Sequence, residues 1–396
     1  MEDNERKMIQ LADKASCTGC TACVNICPNQ CLHMNADANG FLMPELVFPD
    51  KCINCAACQN VCPVLKPKEM TEKNTISYAA YTKDKNIREE SSSGGIFSEL
   101  AAFVINQSGI VFGAAYDADF TVKHISVDTI EQLGKLRGAK YVQSRLDNCF
   151  AKVRCCLNQG QLVLFSGLPC QIAGLKSFLK KDYDNLICAD FVCHGVPSPM
   201  VWSEYVKYRM KKDSNGVPLQ SINFRSKKSG WSRYRYSNVF SYTDGTNYSC
   251  VSGKDLFMRL FVNDYISRES CSNCQFKGYD RISDITMGDF WGVWDIAPEM
   301  DDDKGTSIIL LHSEKGVESF NNIKKRLIYK LVTLEQSSQQ NPSMLKSSPE
   351  NVKRAEVFRK IRNGEMDSLE IDMLKMPESK ISFKSKLIQK IKKILK

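Results

Sequence analysis

The chain has 396 residues, 43% of them hydrophobic and 25% charged, with a formal net charge of +9. This length and apolar content suit two or three domains with a large core and exclude both a disordered chain and a small disulfide scaffold. The positive charge is local: residues 380–396 hold seven lysines and no acid, and without them the balance is +2, so no nucleic-acid-binding body is expected.

The chain opens on the charged stretch Met1–Arg6, with no apolar core of a secretory signal. No apolar run reaches the length of a membrane span. Eighteen cysteines without an export signal point to a reducing cytoplasm.

Residues 1–68 read as the first domain, an α+β ferredoxin-like module. Cys17, Cys20, Cys23 and Cys27-Pro28 repeat, with identical spacing, as Cys52, Cys55, Cys58 and Cys62-Pro63. Three thiolates in such a run wrap one cubane cluster, and the fourth reaches the other cluster. Cys17, Cys20, Cys23 and Cys62 are therefore expected to hold one [4Fe–4S] cluster, and Cys52, Cys55, Cys58 and Cys27 a second. Zinc sites use cysteines in pairs and do not call for a third cysteine followed by Cys-Pro.

A polar, proline-broken linker at residues 64–75 leads into an α/β rhythm. The pattern predicts strands at Ile76–Tyr81 and Ile110–Tyr116 and helices at Ile96–Asn106 and Ser144–Asn158. Leu162–Phe165, Gln171–Lys180 and Leu186–Cys193 follow as strand, helix and strand, a βαβ unit that favours parallel pairing. Ligands bind at the carboxyl ends of such strands. The pattern changes from about Ile222 to Ser252: aromatic and polar residues alternate from Tyr234 to Tyr242, and Asp244-Gly245 predicts a hairpin turn. A helix at Asp255–Tyr265 and a strand at Thr306–His312 complete a second domain over 69–330, with parts at about 76–155 and 160–330. Beyond His312 the chain reads as helical and polar to about Leu374, with residues 331–379 as a helical extension.

In the tail at 380–396, Leu387, Ile388, Ile391, Ile394 and Leu395 share one helical face among the lysines. This reads as a basic amphipathic helix suited to peripheral contact with the inner face of a membrane. A disordered basic end and a docked helix are the alternatives.

Several loops carry candidate chemistry. Ser91-Ser92-Ser93-Gly94-Gly95 opens a helix, where free N–H groups suit a pyrophosphate and the alternative is a plain serine cap. In Gly138-Ala139-Lys140-Tyr141-Val142-Gln143, Lys140 can face a phosphate or a flavin edge and Tyr141 can stack; a solvated lysine and a core tyrosine are the alternatives. Cys170 and Cys193 end two predicted neighbouring strands, and Cys271 and Cys274 form a CxxC. Together they suit a third cluster or a structural zinc, or the CxxC alone binds metal. His194 follows Cys193 and reads as a proton relay or as a loop anchor. Asp289 is a turn or pocket carboxylate. Cys31, Cys149, Cys155, Cys156, Cys188 and Cys250 lack ligand spacing and read as core residues.

The ordered set Ser91–Gly95, Gly138-x-Lys140-Tyr141-x-Gln143, Ser166-Gly167-Leu168-Pro169-Cys170, Cys193-His194-Gly195-Val196-Pro197 and Ser283–Gly292 resembles the beta subunit family of coenzyme F420-reducing hydrogenases and F420-linked dehydrogenases. The resemblance covers about residues 76–330. Ser166 and Leu168 depart from the Gly-Thr-Pro-Cys pattern expected there, while the cysteine is kept. The resemblance implies an α/β flavin-binding domain with a mixed sheet. It implies FAD at Ser92, Ser93, Gly94, Gly95, Gly138, Lys140, Tyr141 and Gln143, and a third [4Fe–4S] cluster at Cys170, Cys193, Cys271 and Cys274. His194 and Lys140 are the candidate catalytic residues. The expected activity is a flavin- and iron–sulfur-dependent oxidoreductase exchanging hydride with a small donor or acceptor such as coenzyme F420. The alternative is an electron-transfer subunit that docks to a larger redox partner, a ferredoxin or a membrane-associated envelope glycan pathway.

Overall fold

The computed structural model describes residues 9–68, 74–232 and 235–376. The basic tail at 380–396 lies outside the described residues. The N-terminal module contains α1 (Ala22–Ile26), the antiparallel pair β1 (Leu32–Ala36) and β2 (Leu42–Leu46), and α2 (Ala57–Asn60). The duplication seen in the cysteine spacing extends to the backbone. Gly19 and Asn54, each two residues after the first cysteine of a run, take φ 69° and 53°, and Thr21 and Ala56 take φ 65° and 55°. Non-glycine residues resist this left-handed conformation, so three of these four positions hold local strain that the surrounding loop must impose.

The body continues with β3 (Ile76–Thr82), α3 (Lys85–Glu90), α4 (Ile96–Asn106), β4 (Ile110–Tyr116), β5 (Val122–Val127), α5 (Cys149–Asn158), β6 (Val163–Ser166), α6 (Pro169–Leu179) and β7 (Leu186–Phe191). Next come α7 (Pro199–Ser214), β8 (Leu219–Ser226), β9 (Ser237–Tyr242), β10 (Asn247–Val251) and α8 (Leu256–Val262). Then follow β11 (Ile285–Asp289), α9 (Val293–Ile296), β12 (Ser307–Leu311), α10 (Glu314–Ile323), β13 (Leu327–Val332), α11 (Leu334–Ser338), α12 (Arg354–Arg362) and α13 (Met366–Lys375).

An eight-stranded mixed sheet runs β13-β3-β12-β11-β7-β6-β4-β5. Its centre, β11-β7-β6-β4, is parallel and its flanks are antiparallel. Side chains of a strand alternate between faces. Leu164 and Ile187 join α4 and α10 on one face, whereas Val163, Phe165, Leu186 and Cys188 join α5 and α6 on the other. The N-terminal module packs on the second face through Cys20, Ala22 and Val61. A three-stranded sheet, β10-β9-β8, is inserted with α7 and α8 between β7 and β11. Its aromatic core, built on Trp202, Tyr205, Phe240 and Phe257, also takes in Phe41 of the N-terminal module and Val357, Phe358 and Ile361 of α12.

Two expected elements are corrected. The helix expected from Ser144 begins at Cys149, because residues before it serve the edge of β5 instead: Arg145 N–H donates to Val122 and its carbonyl accepts from His124. The region beyond His312, expected to be helical, contains β13, an edge strand paired to β3. Its burial pattern does not alternate, since only Leu327 and Val332 at its two ends are buried, so it carried no period-two signal.

Candidate redox site

Two cavities in the N-terminal module sort the eight cysteines. One is lined by Cys17, Cys20, Cys23 and Cys62 and also by Cys58, which lines both cavities. The other is lined by Cys27, Cys52, Cys55 and Cys58, together with Cys31. The fourth cysteine of each run therefore faces the first three of the other run. Backbone N–H groups approach the sulfurs, Gly19 to Cys17 at 3.4 Å and Cys31 to Cys27 at 3.3 Å. Burial pushes the Cys20 thiol up to about 12 and raises Cys23 and Cys58 as well, with neighbouring cysteines adding repulsion. Thiols gathered in this way ionise only when a metal centre displaces their protons.

A third group forms where the parallel strands end. Cys170 enters α6 directly after β6, Cys193 follows β7, and Cys271 and Cys274 lie in the loop leading to β11. Burial, and then the charges of Cys274, Cys193 and Cys271, push the Cys170 thiol up. Burial likewise takes Cys193 to about 11 and Cys271 to about 12. Among the described residues, no three Cys, His, Asp or Glu side chains converge tightly enough to hold a single metal ion. Residues 343–348 wrap this group: Ser347 Oγ accepts from Cys274 N–H at 2.9 Å, and Ser348 Oγ donates to the His194 carbonyl at 2.8 Å. The His194 ring meets Ser343 Oγ at 3.3 Å and lies 2.9 Å from Asp264, edge-on to Phe261.

The glycine-rich loops lie at the same carboxyl edge of the sheet, where Gly94 sits beside Ala80 of β3, level with Asp289 at the end of β11. Ser92 Oγ accepts from Ala139 N–H at 2.8 Å, which ties the two loops together. Gly94 lies so close to β3 that a Cβ would stand 2.5 Å from the Ala80 carbonyl. Helix α4 starts after Gly95 with no side-chain cap, so its first N–H groups remain open to an anion. Two lysines flank this end. Lys140 Nζ donates to the carbonyls of Leu136, Arg137 and Gly138, and Lys227 Nζ to those of Arg88 and Ser93. Burial lowers both ammonium groups to about 7.

Arg225 forms a two-pronged ion pair with Asp289 at 2.6 and 2.9 Å and stacks over Tyr236, and its Nη1 reaches the Tyr141 hydroxyl at 3.3 Å. Trp231 stacks on Trp291 and donates to the Ser92 carbonyl. Arg225 is aimed there by an irregularity in the sheet. Asn223 pairs with Val239 and Ser226 with Ser237, so Phe224 and Arg225 together oppose Asn238. The Asn238 side chain is 0% exposed, and both ends of its amide lack a partner among the described residues, as does Arg225 Nε.

Gln143 points elsewhere. Its amide accepts from and donates to the Leu42 backbone at 2.9 and 3.3 Å, pinning the N-terminal module. Sequence reasoning missed Arg225, Lys227, Asn238, Arg268 and the Ser343–Ser348 wrap. Only the aromatic-rich hairpin hinted at the first three.

Cysteine-lined cavities in a ferredoxin-type module, set against a mixed α/β sheet with helices on both faces, define an iron–sulfur electron-transfer protein. Residues 16–65 match the 4Fe-4S dicluster domain, and residues 160–337 match the family described as the C terminus of the coenzyme F420 hydrogenase/dehydrogenase beta subunit. The similarity to that oxidoreductase family thus covers residues 160–337, behind a segment similar to a 4Fe-4S domain. Among solved structures it is similar to a chain of the F420-reducing [NiFe] hydrogenase complex from Methanosarcina barkeri. The identity is 14% and the TM-score 0.43, over 75% of this chain and 91% of that one. No curated protein matches it. No helix among the described residues is long and apolar enough to cross a membrane.

Proposed function

We propose that this protein is an iron–sulfur flavoprotein oxidoreductase that passes electrons between a redox partner protein and a small hydride donor or acceptor of the F420 type. Cys17, Cys20, Cys23 and Cys62 hold one [4Fe–4S] cluster, Cys27, Cys52, Cys55 and Cys58 a second, and Cys170, Cys193, Cys271 and Cys274 a third. The observation that carries the reading is the third thiol group, which gathers at the ends of β6 and β7, where Cys170 feels the charge of Cys20 in the ferredoxin module.

FAD fits the loop face on three grounds: the uncapped start of α4, the two lysines satisfied by carbonyls, and the orphaned polar atoms of Asn238 and Arg225. A bound flavin supplies the exchange between one-electron and two-electron chemistry. Ser92, Ser93, Gly94, Gly95 and Gly138 give close backbone approach, Lys140 and Lys227 neutralise the pyrophosphate, and Arg225 and Asn238 orient the polar ring edge. His194, braced by Ser343 and Asp264, is positioned as a proton relay beside Cys193. The redox partner docks at the exposed end of the N-terminal module, where Cys55 is exposed and Val47, Phe48 and Ile53 present apolar surface.

Iron, sulfide, zinc and flavin content after anaerobic purification tests this reading. About twelve iron and one FAD per chain are expected, at four iron per cluster. About eight iron and no flavin, even after FAD is added, would leave a two-cluster electron-transfer protein without its own substrate.

A further inference from the structure

Arg268 is 3% exposed, and among the described residues its side-chain partners include no carboxylate. Nε donates to the Cys17 carbonyl at 2.8 Å, and both Nη groups donate to the Leu42 carbonyl at 3.1 Å. Nη2 also contacts Met43 Sδ and lies 3.9 Å from Cys17 Sγ. The Phe41 ring covers the guanidinium, with 5.6 Å between them. The neighbouring Glu269 does not neutralise it, because its carboxylate turns to Lys14 at 3.6 Å and Arg354 at 3.3 Å.

A guanidinium does not give up its proton, and a buried charge without a counter-charge is strongly unfavourable. Carbonyl oxygens satisfy the N–H groups but supply only dipoles. The missing negative charge is therefore to be sought among the cysteine sulfurs, and Cys17 is the nearest.

The backbone of Arg268 belongs to the other thiol group. Its N–H donates to Val196, three residues after Cys193, and its carbonyl accepts from Cys271 N–H at 3.0 Å. The space for the fork is left by Gly19, where a Cβ would stand 2.9 Å from Nη1. Among the described residues the other N-terminal group has no such buried cation at hand: Lys51, which acts on Cys31, is exposed and lies over the Phe48 ring at 4.4 Å.

We propose that Arg268 is the fixed counter-charge of the centre held by Cys17, Cys20, Cys23 and Cys62, and that it raises the reduction potential of this centre above that of the Cys52 group. This rests on the cluster reading above. One-electron reduction adds a negative charge beside the guanidinium, so the reduced form is stabilised more than the oxidised form. An electron arriving from a low-potential one-electron donor at the exposed Cys55 end then moves inward, to the centre that touches the Cys170 group. The residue is a positioning and tuning group and does not itself bind the metal.

The test is a potentiometric titration, followed by electron paramagnetic resonance, of the full chain purified anaerobically, alongside Arg268→Lys and Arg268→Gln. Iron content is measured first in each. The expected order of midpoint potential for one N-terminal centre is wild type, then R268K, then R268Q, with the other centre unmoved. A purely structural arginine would lower the melting temperature without moving a potential, so equal potentials in iron-replete R268Q and wild type overturn the proposal. Should R268Q lose its iron, the comparison of R268K with wild type decides: a partial downward shift supports the proposal, and no shift overturns it. A wild-type chain that lacks N-terminal cluster iron overturns the cluster reading itself, which distinguishes the two failures.

Discussion

Gly174 of α6 lies directly against Cys20 of the N-terminal module: a Cβ on Gly174 would stand 2.9 Å from both Cβ and Sγ of that cysteine. Cys170, one helical turn earlier on α6, senses the charge of Cys20. Through-space electron transfer weakens steeply with distance, so this glycine sets how near two redox groups come. Gly174→Val should separate α1 from α6 and cost about 1–3 kcal/mol through overpacking. Iron content should stay near wild type while reduction of the inner centre, followed by freeze-quenching, slows. Unchanged kinetics in a folded, iron-replete variant would exclude this contact as the route.

The third thiol group predicts its own stoichiometry. Cys271→Ala should lower iron by about four per chain while the N-terminal signals persist. Loss of a single zinc with unchanged iron would assign the site to zinc instead.

The two lysines predict a pH dependence for flavin binding. Both sit near 7 in the folded chain, against about 10.4 for a free lysine. A pyrophosphate beside them favours the charged form, so binding takes up protons and should tighten as pH falls from about 8 to about 6. In the flavin-free chain the sign is opposite. Between about pH 7 and about pH 10.4 the unfolded chain binds more protons than the folded one, so burial of these lysines destabilises the fold fully below that window and progressively less through it. Lys227→Met should weaken binding about tenfold, or ~1.4 kcal/mol, and flatten the profile, as read by calorimetry in buffers of different ionisation heat.

Asn238 predicts a trade between stability and binding. An unpartnered buried amide costs about 1–3 kcal/mol, and an apolar replacement of similar shape removes that cost. Asn238→Leu should raise the melting temperature of the flavin-free chain and reduce flavin retention. A variant that keeps flavin unchanged would remove Asn238 from the site.

The Arg225–Asp289 pair is nearly closed to solvent on the arginine side. Asp289→Asn leaves a buried guanidinium without its anion and should cost about 3–5 kcal/mol. Thermal unfolding measures this directly, and a change below about 1 kcal/mol would mean that the pair is solvated.

Local spacing carried much of this protein into its sequence. Two matched cysteine runs wrote out the ferredoxin module, because wrapping a cluster is a problem solved within a few residues of loop. The parallel centre of the sheet was legible because β6, α6 and β7 follow one another as apolar strand, helix and apolar strand. That order in turn brought Cys170 and Cys193 to neighbouring strand ends. The tertiary structure alone decided the rest. Strand β13 was hidden because an edge strand with exposed side chains has no alternation to read. Gln143 sat in a motif that suggested a cofactor loop, yet its amide completes the backbone bonding of Leu42, a residue 101 positions away. Arg268 looked like one charge among many, since nothing in its neighbours announces burial against Cys17, 251 positions earlier. Burial, counter-charge and orphaned polar atoms arise from contacts between distant segments, and those contacts exist only once the chain is packed.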